Sequence, residues 1–164
     1  MREFTKEDGL PEDLLRWKPT VEAMLLDIPI DGPLYLMVDQ SFVHAGAAQR
    51  RPGLHVDGYW IPRLQCHGRP EPGHGHCVKA EDWPVEAILL ASNVSASRSF
   101  VGEYDGVPGE GGDCSHIGTE NLNQIRLLSD VCWAGNVTML HESLPVAEDC
   151  FRTLVRINVP GWSP

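Results

Sequence analysis

The sequence predicts a mostly β fold, a two-sheet jelly roll with an N-terminal helical flank, folded as one domain over residues 1–164. Three observations lead there. With 42% hydrophobic residues the chain can bury one sizeable core but not two comfortable ones. From Leu34 onward, short apolar runs alternate with Gly, Pro, Asn and Asp, the way short strands and turns read. These runs number about seven or eight, close to the strand count of a jelly roll.

The helical flank covers roughly residues 1–30. Pro11-Glu12-Asp13 places proline and acidic residues where a first helical turn accepts them, and Thr20 is positioned to cap Val21-Glu22-Ala23-Met24-Leu25-Leu26. The jelly-roll core covers residues 34–159. Its candidate strands are Leu34 to Val38, Gly53 to Trp60, Val85 to Ala91, Arg98 to Tyr104, Asn123 to Leu128, Asn136 to His141 and Phe151 to Val159. Two long loops, Cys66 to Trp83 and Asp105 to Glu120, are rich in glycine, and loops of that length are often functional.

Composition narrows the function classes. The longest aliphatic run, Ala87-Ile88-Leu89-Leu90-Ala91, is too short to span a bilayer, so no membrane role is expected. Five cysteines at irregular spacing suit reduced thiols in a cytoplasmic protein better than a disulfide framework. A formal net charge of −10 disfavours broad attraction to a nucleic-acid backbone, although a local patch such as Arg50-Arg51 leaves a nucleotide open.

The chemistry is concentrated in Arg51-Pro52-Gly53-Leu54-His55-Val56-Asp57-Gly58-Tyr59-Trp60. If this stretch is extended, His55 and Asp57 point to one face, because side chains in a strand repeat every two residues. An imidazole and a carboxylate side by side offer two ligands to a metal, and His141 is the best candidate for a third. Two histidines and one carboxylate that leave three positions open form the facial triad of non-haem Fe(II) chemistry. In the last strand Arg152, Leu154, Arg156 and Asn158 share a face. Two guanidiniums facing the barrel interior would need anionic partners, and a dicarboxylic cosubstrate would satisfy them.

The order His55-x-Asp57, His141 and then Arg152 eleven positions later resembles the iron(II)- and 2-oxoglutarate-dependent oxygenases, which fold as a double-stranded β-helix. The resemblance covers residues from about 40 to 159 in motif order and spacing. It implies that His55, Asp57 and His141 hold Fe(II) and form the catalytic centre. Arg152 would bind the far carboxylate of 2-oxoglutarate, and Arg156 would touch that cosubstrate or an anionic substrate. The implied function is a dioxygenase that uses 2-oxoglutarate and O2 to oxidise an unidentified organic substrate. Many such enzymes follow the arginine with x-Ser, whereas this chain has Arg152-Thr153-Leu154, so a second hydrogen bond to the carboxylate must come from elsewhere. Tyr59 and Trp60 could line the substrate side, although aromatic residues at a strand end more commonly pack a core.

Cys66, His67, His74, His76 and Cys77 are ligands that zinc accepts, but their spacing matches no standard finger. Gly68, His74-x-His76 and Glu81 resemble the first motif of the cupins, which makes a cupin-type metal site the runner-up; the usual Pro-x-Gly before the distal histidine is absent. A non-catalytic jelly-roll binding module is the third alternative. Cys114 beside His116 suggests a thiolate nucleophile but lacks an orienting third group. Glu142 is expected to face away from the metal.

Overall fold

The computed structural model describes residues 1–57, 85–106 and 108–164. Tyr59, Trp60, and the whole Cys66-to-Trp83 loop with its zinc and cupin readings, lie outside the described residues. The fold is mostly β, with two antiparallel sheets and one short helix near the N-terminus. The strands are β1 (Arg2–Phe4), β2 (Leu34–Val43), β3 (Glu86–Ser92), β4 (Ser97–Val101), β5 (Asn123–Leu127), β6 (Trp133–Asn136), β7 (Leu140–Ser143) and β8 (Cys150–Pro160). The larger sheet has the order β1-β2-β8-β3-β6 and the smaller one β5-β4-β7. No helix among the described residues is long and apolar enough to cross a membrane.

Strand β8 is the centre of the larger sheet, paired along its length with β2 on one side and β3 on the other. Its alternation explains that place. Val155, Ile157 and Val159 point to one face and join Leu34, Leu36 and Leu89 in the main apolar cluster. Helix α1 (Lys18–Met24) covers this face, contributing Val21 and Met24, with Leu25 just beyond it. The opposite face carries Arg152, Leu154, Arg156 and Asn158, all buried. Both faces of β8 are therefore covered, and its β-branched residues fit that setting.

Several element boundaries differ from expectation, each for a physical reason. The flank is not helical from its start: Arg2–Phe4 forms an edge strand on β2, with Phe4 buried in the main cluster. A 3₁₀ turn over Glu12–Trp17 follows Pro11 and runs into α1, where Pro19 sits in the first turn and Thr20 lies inside the helix rather than capping it. Strand β2 continues five residues past Val38 because its polar end is satisfied by the sheet: Gln40 donates to Thr153 Oγ1, and Asp39 pairs with Arg50 at 3.2 Å. The single strand expected over Asn136 to His141 is instead the end of β6, a turn, and β7. Asn136 makes that turn by accepting hydrogen bonds from both the backbone N–H and the hydroxyl of Thr138, an arrangement asparagine favours. At this turn the chain passes from the larger sheet to the smaller one.

The Asp105-to-Glu120 stretch is pinned rather than loose. Val56 donates to the Gly112 carbonyl at 3.0 Å and Cys114 donates to the Leu54 carbonyl at 2.8 Å, so this segment flanks the His55 stretch on one side. Gly112 has φ +80, and a Cβ there would lie 2.3 Å from the Val56 carbonyl oxygen. Only glycine allows this approach.

Candidate metal centre

The centre is built on a cross-strand pair. His55 and His141 exchange both backbone hydrogen bonds at 3.0 Å, so the two residues stand directly opposite each other with their side chains on one face. Alternation then sorts the neighbours. Leu54, Val56 and Leu140 turn the other way into an apolar cluster with Phe100, Cys114 and Ile117, which fixes the ribbon from behind. Asp57, two residues after His55, returns to the imidazole face. The ligand-bearing atoms of His55, Asp57 and His141 all lie within 4.8 Å of one another. The two rings are 4.4 Å apart at their centroids, and His141 Nε2 is 3.3 Å from Asp57 Oδ2.

The orientation of both rings is set by backbone carbonyls. His55 Nδ1 is 2.7 Å from the Gly53 carbonyl oxygen, and His141 Nδ1 is 2.9 Å from that of Met139. A carbonyl can only accept, so each contact places a ring proton on Nδ1, and His141 Nε2 meets the Asp57 carboxylate. This is the outer support that metal-binding histidines generally have.

Electrostatics prepares the same state. Burial, and then the neighbouring His141, push the His55 pKa down to about 4, so its imidazole is neutral near pH 7. Burial alone would raise Asp57, but its hydrogen bond with His141 and the charge of Arg156 hold its carboxyl well below the usual carboxylate range. Two imidazoles and one carboxylate are a donor set that suits Fe(II) and its first-row neighbours. Three donors at about 2.1 Å from one ion stand about 3 Å apart. The His141–Asp57 edge already has that spacing, and small side-chain rotations would close the rest.

The two arginines of β8 have different surroundings. Arg152 has no exposed surface and donates to three hydroxyls: Ser97 Oγ at 2.9 Å, Ser143 Oγ at 3.2 Å and Ser92 Oγ at 3.3 Å. Among the described residues no carboxylate lies within ion-pair distance of it. Burial lowers its pKa from the ordinary arginine value. Arg156 instead makes a very short ion pair with Asp57 Oδ2, and its other terminal nitrogen lies 3.4 Å from the Met1 thioether. Arg156 lines a cavity with His55, Asp57 and His141, whereas Arg152 does not line it and meets it only through Ser97 and Ser143, which do. The cavity holds only about 30 Å³, roughly the space of one water.

The serines were not legible in the sequence. Ser143 is two residues from His141 on the same strand, and Ser97 faces it in register across β4 and β7. Only the pairing of strands makes them neighbours. Leu154 takes the place of the usual serine, and Thr153 before it is half-buried on the other face of β8 and accepts from Gln40. Glu142 pairs with Arg98 and also lines the cavity shared by His55, Asp57 and His141. Cys114 is fully buried, and burial together with Asp113 pushes its thiol up to about 11, so it does not serve as a thiolate nucleophile. A larger open cleft of about 350 Å³ beside the Thr5–Gly9 turn has no histidine or cysteine in its lining. No protein-family model matches the chain, and no curated protein matches it in sequence.

Proposed function

We propose that the chain is an Fe(II)- and 2-oxoglutarate-dependent dioxygenase with a double-stranded β-helix core. The observation that carries this reading is the convergence of His55, Asp57 and His141 beside a buried arginine that has hydroxyl neighbours in place of a carboxylate. Strand order supports it. The run β2-β8-β3-β6 forms one layer, and the His55 segment next to β7-β4-β5 supplies the other, an interleaving that a jelly roll of this type would have.

In this reading His55 and His141 give Nε2 and Asp57 gives a carboxylate oxygen to the metal. When bound, Fe(II) supplies O2 activation coupled to the oxidative decarboxylation of 2-oxoglutarate, giving succinate and CO2 and delivering one oxygen atom to the substrate. Arg152 grips the far carboxylate of the keto acid. Ser97 and Ser143 each accept one guanidinium N–H and keep a hydroxyl proton to donate, so they take over the second hydrogen bond that Leu154 cannot make. Leu90, Leu154 and Met37 form the apolar wall that excludes water. The substrate is an organic molecule whose identity is left open.

The ion pair between Arg156 and Asp57 favours one other reading, a non-catalytic module in which the carboxylate is already satisfied. Succinate formation separates the two. Purified protein supplied with Fe(II), 2-oxoglutarate, ascorbate and O2 is expected to release succinate even without substrate, and His141→Ala is expected to lose it. Wild-type protein that binds Fe(II) yet yields no more succinate than the variant would favour the module.

A further inference from the structure

The carboxylate oxygen that Arg156 engages is the one a metal needs. Asp57 Oδ2 is both the atom nearest His141 Nε2, at 3.3 Å, and the atom that receives the guanidinium. A cation is therefore already paired with one of the three candidate ligands. The pair is largely out of solvent, with Arg156 5% exposed, so the attraction is only weakly screened. The backbone cannot carry Arg156 away: its residue is locked in β8, opposite Met37 of β2 and Leu90 of β3. Its side chain lines the same cavity as the ligands, and its terminal nitrogens meet Asp57 and the Met1 thioether.

We propose that Arg156 is a resident counter-ion of Asp57 that divalent metal displaces, and that its withdrawal enlarges the cavity for an organic acid. This rests on the metal-centre reading above. Two positive charges compete for one carboxylate oxygen, so the guanidinium weakens metal binding in the resting protein. The space of about 30 Å³ that remains with Arg156 in place admits a water and not a five-carbon diacid, so release of the arginine and entry of the acid are coupled. Once released, the guanidinium stays at the cavity wall beside the open metal positions, where a carboxylate would replace Asp57 as its partner. Metal and a carboxylate ligand then bind with positive cooperativity.

Calorimetric titration of the full chain with Mn(II) tests this, comparing wild type, Arg156→Gln, Arg156→Lys and His141→Ala, each checked for folding by circular dichroism. If Arg156 competes with metal, Arg156→Gln binds Mn(II) about tenfold more tightly and Arg156→Lys, which keeps the charge, stays close to wild type. If it instead supports Asp57 as an outer partner, Arg156→Gln binds about 10–100-fold more weakly, which overturns the proposal, as does an affinity equal to wild type. A His141→Ala protein that binds as well as wild type would show that the metal sits elsewhere and would overturn the metal-centre reading itself. A second titration with succinate, with and without Mn(II), reads the coupling. Metal is expected to strengthen succinate binding in wild type more than in Arg156→Gln, and equal strengthening in both would refute the linkage.

Discussion

The two faces of β8 are built from the same strand and are equally buried, yet they have opposite chemistry. Val155, Ile157 and Val159 meet the helix side through apolar contact alone, whereas Arg152, Arg156 and Asn158 place two guanidiniums and an amide on the inner face. The apolar face is the one that stabilises the fold. The charged face carries a desolvation cost that well-packed hydrophobic residues would avoid.

Breaking the apolar face should have the largest effect on stability. Ile157 has no exposed surface, and Ile157→Ala is expected to cost about 4 kcal/mol in urea unfolding while leaving the metal affinity of the folded fraction unchanged. On the inner face, Asp57→Asn removes the charge opposite the Arg156 guanidinium and is expected to cost about 3 kcal/mol in metal-free protein by the same measurement. Gly112→Ala strikes the wall behind the site: a Cβ at 2.3 Å from the Val56 carbonyl and a left-handed backbone together are expected to cost about 2 kcal/mol and to shift the His55 ribbon, read as weaker Mn(II) binding. Arg152→Met sharpens the contrast, because it removes a buried cation that has no carboxylate beside it. Its stability is expected to stay within about 1 kcal/mol of wild type or to rise, while affinity for 2-oxoglutarate falls about 100-fold.

The smallest effect is a pH dependence. An unfolded histidine takes up its proton near pH 6.5, but His55 in the fold does so only near 4. Between these values the unfolded chain binds more protons, so the stability of chelator-treated protein should fall as pH drops from about 6.5 towards 4. The depressed carboxyl of Asp57 acts in the same direction, but only at pH values below its unfolded range. A His55→Gln variant should show a flatter limb over the histidine window, and an unchanged limb would mean that other groups produce it.

Much of this was legible in the sequence for a simple reason: strand alternation is a local property. It placed His55 with Asp57, and Arg152 with Arg156, without knowledge of the fold. What stayed hidden depends on register and long-range pairing. The serines around Arg152 come from β3, β4 and β7, and no sequence period joins them. The bond between Arg156 and Asp57 spans 99 positions, so Arg156 read as a partner for an external anion when its neighbour in the fold is the Asp57 carboxylate. The candidate strand ended at Val38, short of the polar end of β2, whose hydrogen-bond partners lie on other elements. The turn at Asn136 carried its own local signal, and strand propensity on both sides masked it.

In the proposed function, one ion and one keto acid share the space between the His55–Asp57–His141 group and Arg152. The direct measurement is an anaerobic titration of Fe(II)-loaded protein with 2-oxoglutarate, following the visible charge-transfer absorption that a chelated keto acid produces. Wild type is expected to develop the band saturably, Arg152→Met to need about 100-fold more 2-oxoglutarate, and His141→Ala to show none. A band of equal strength and affinity in all three proteins, or no band in wild type with iron bound, would contradict it.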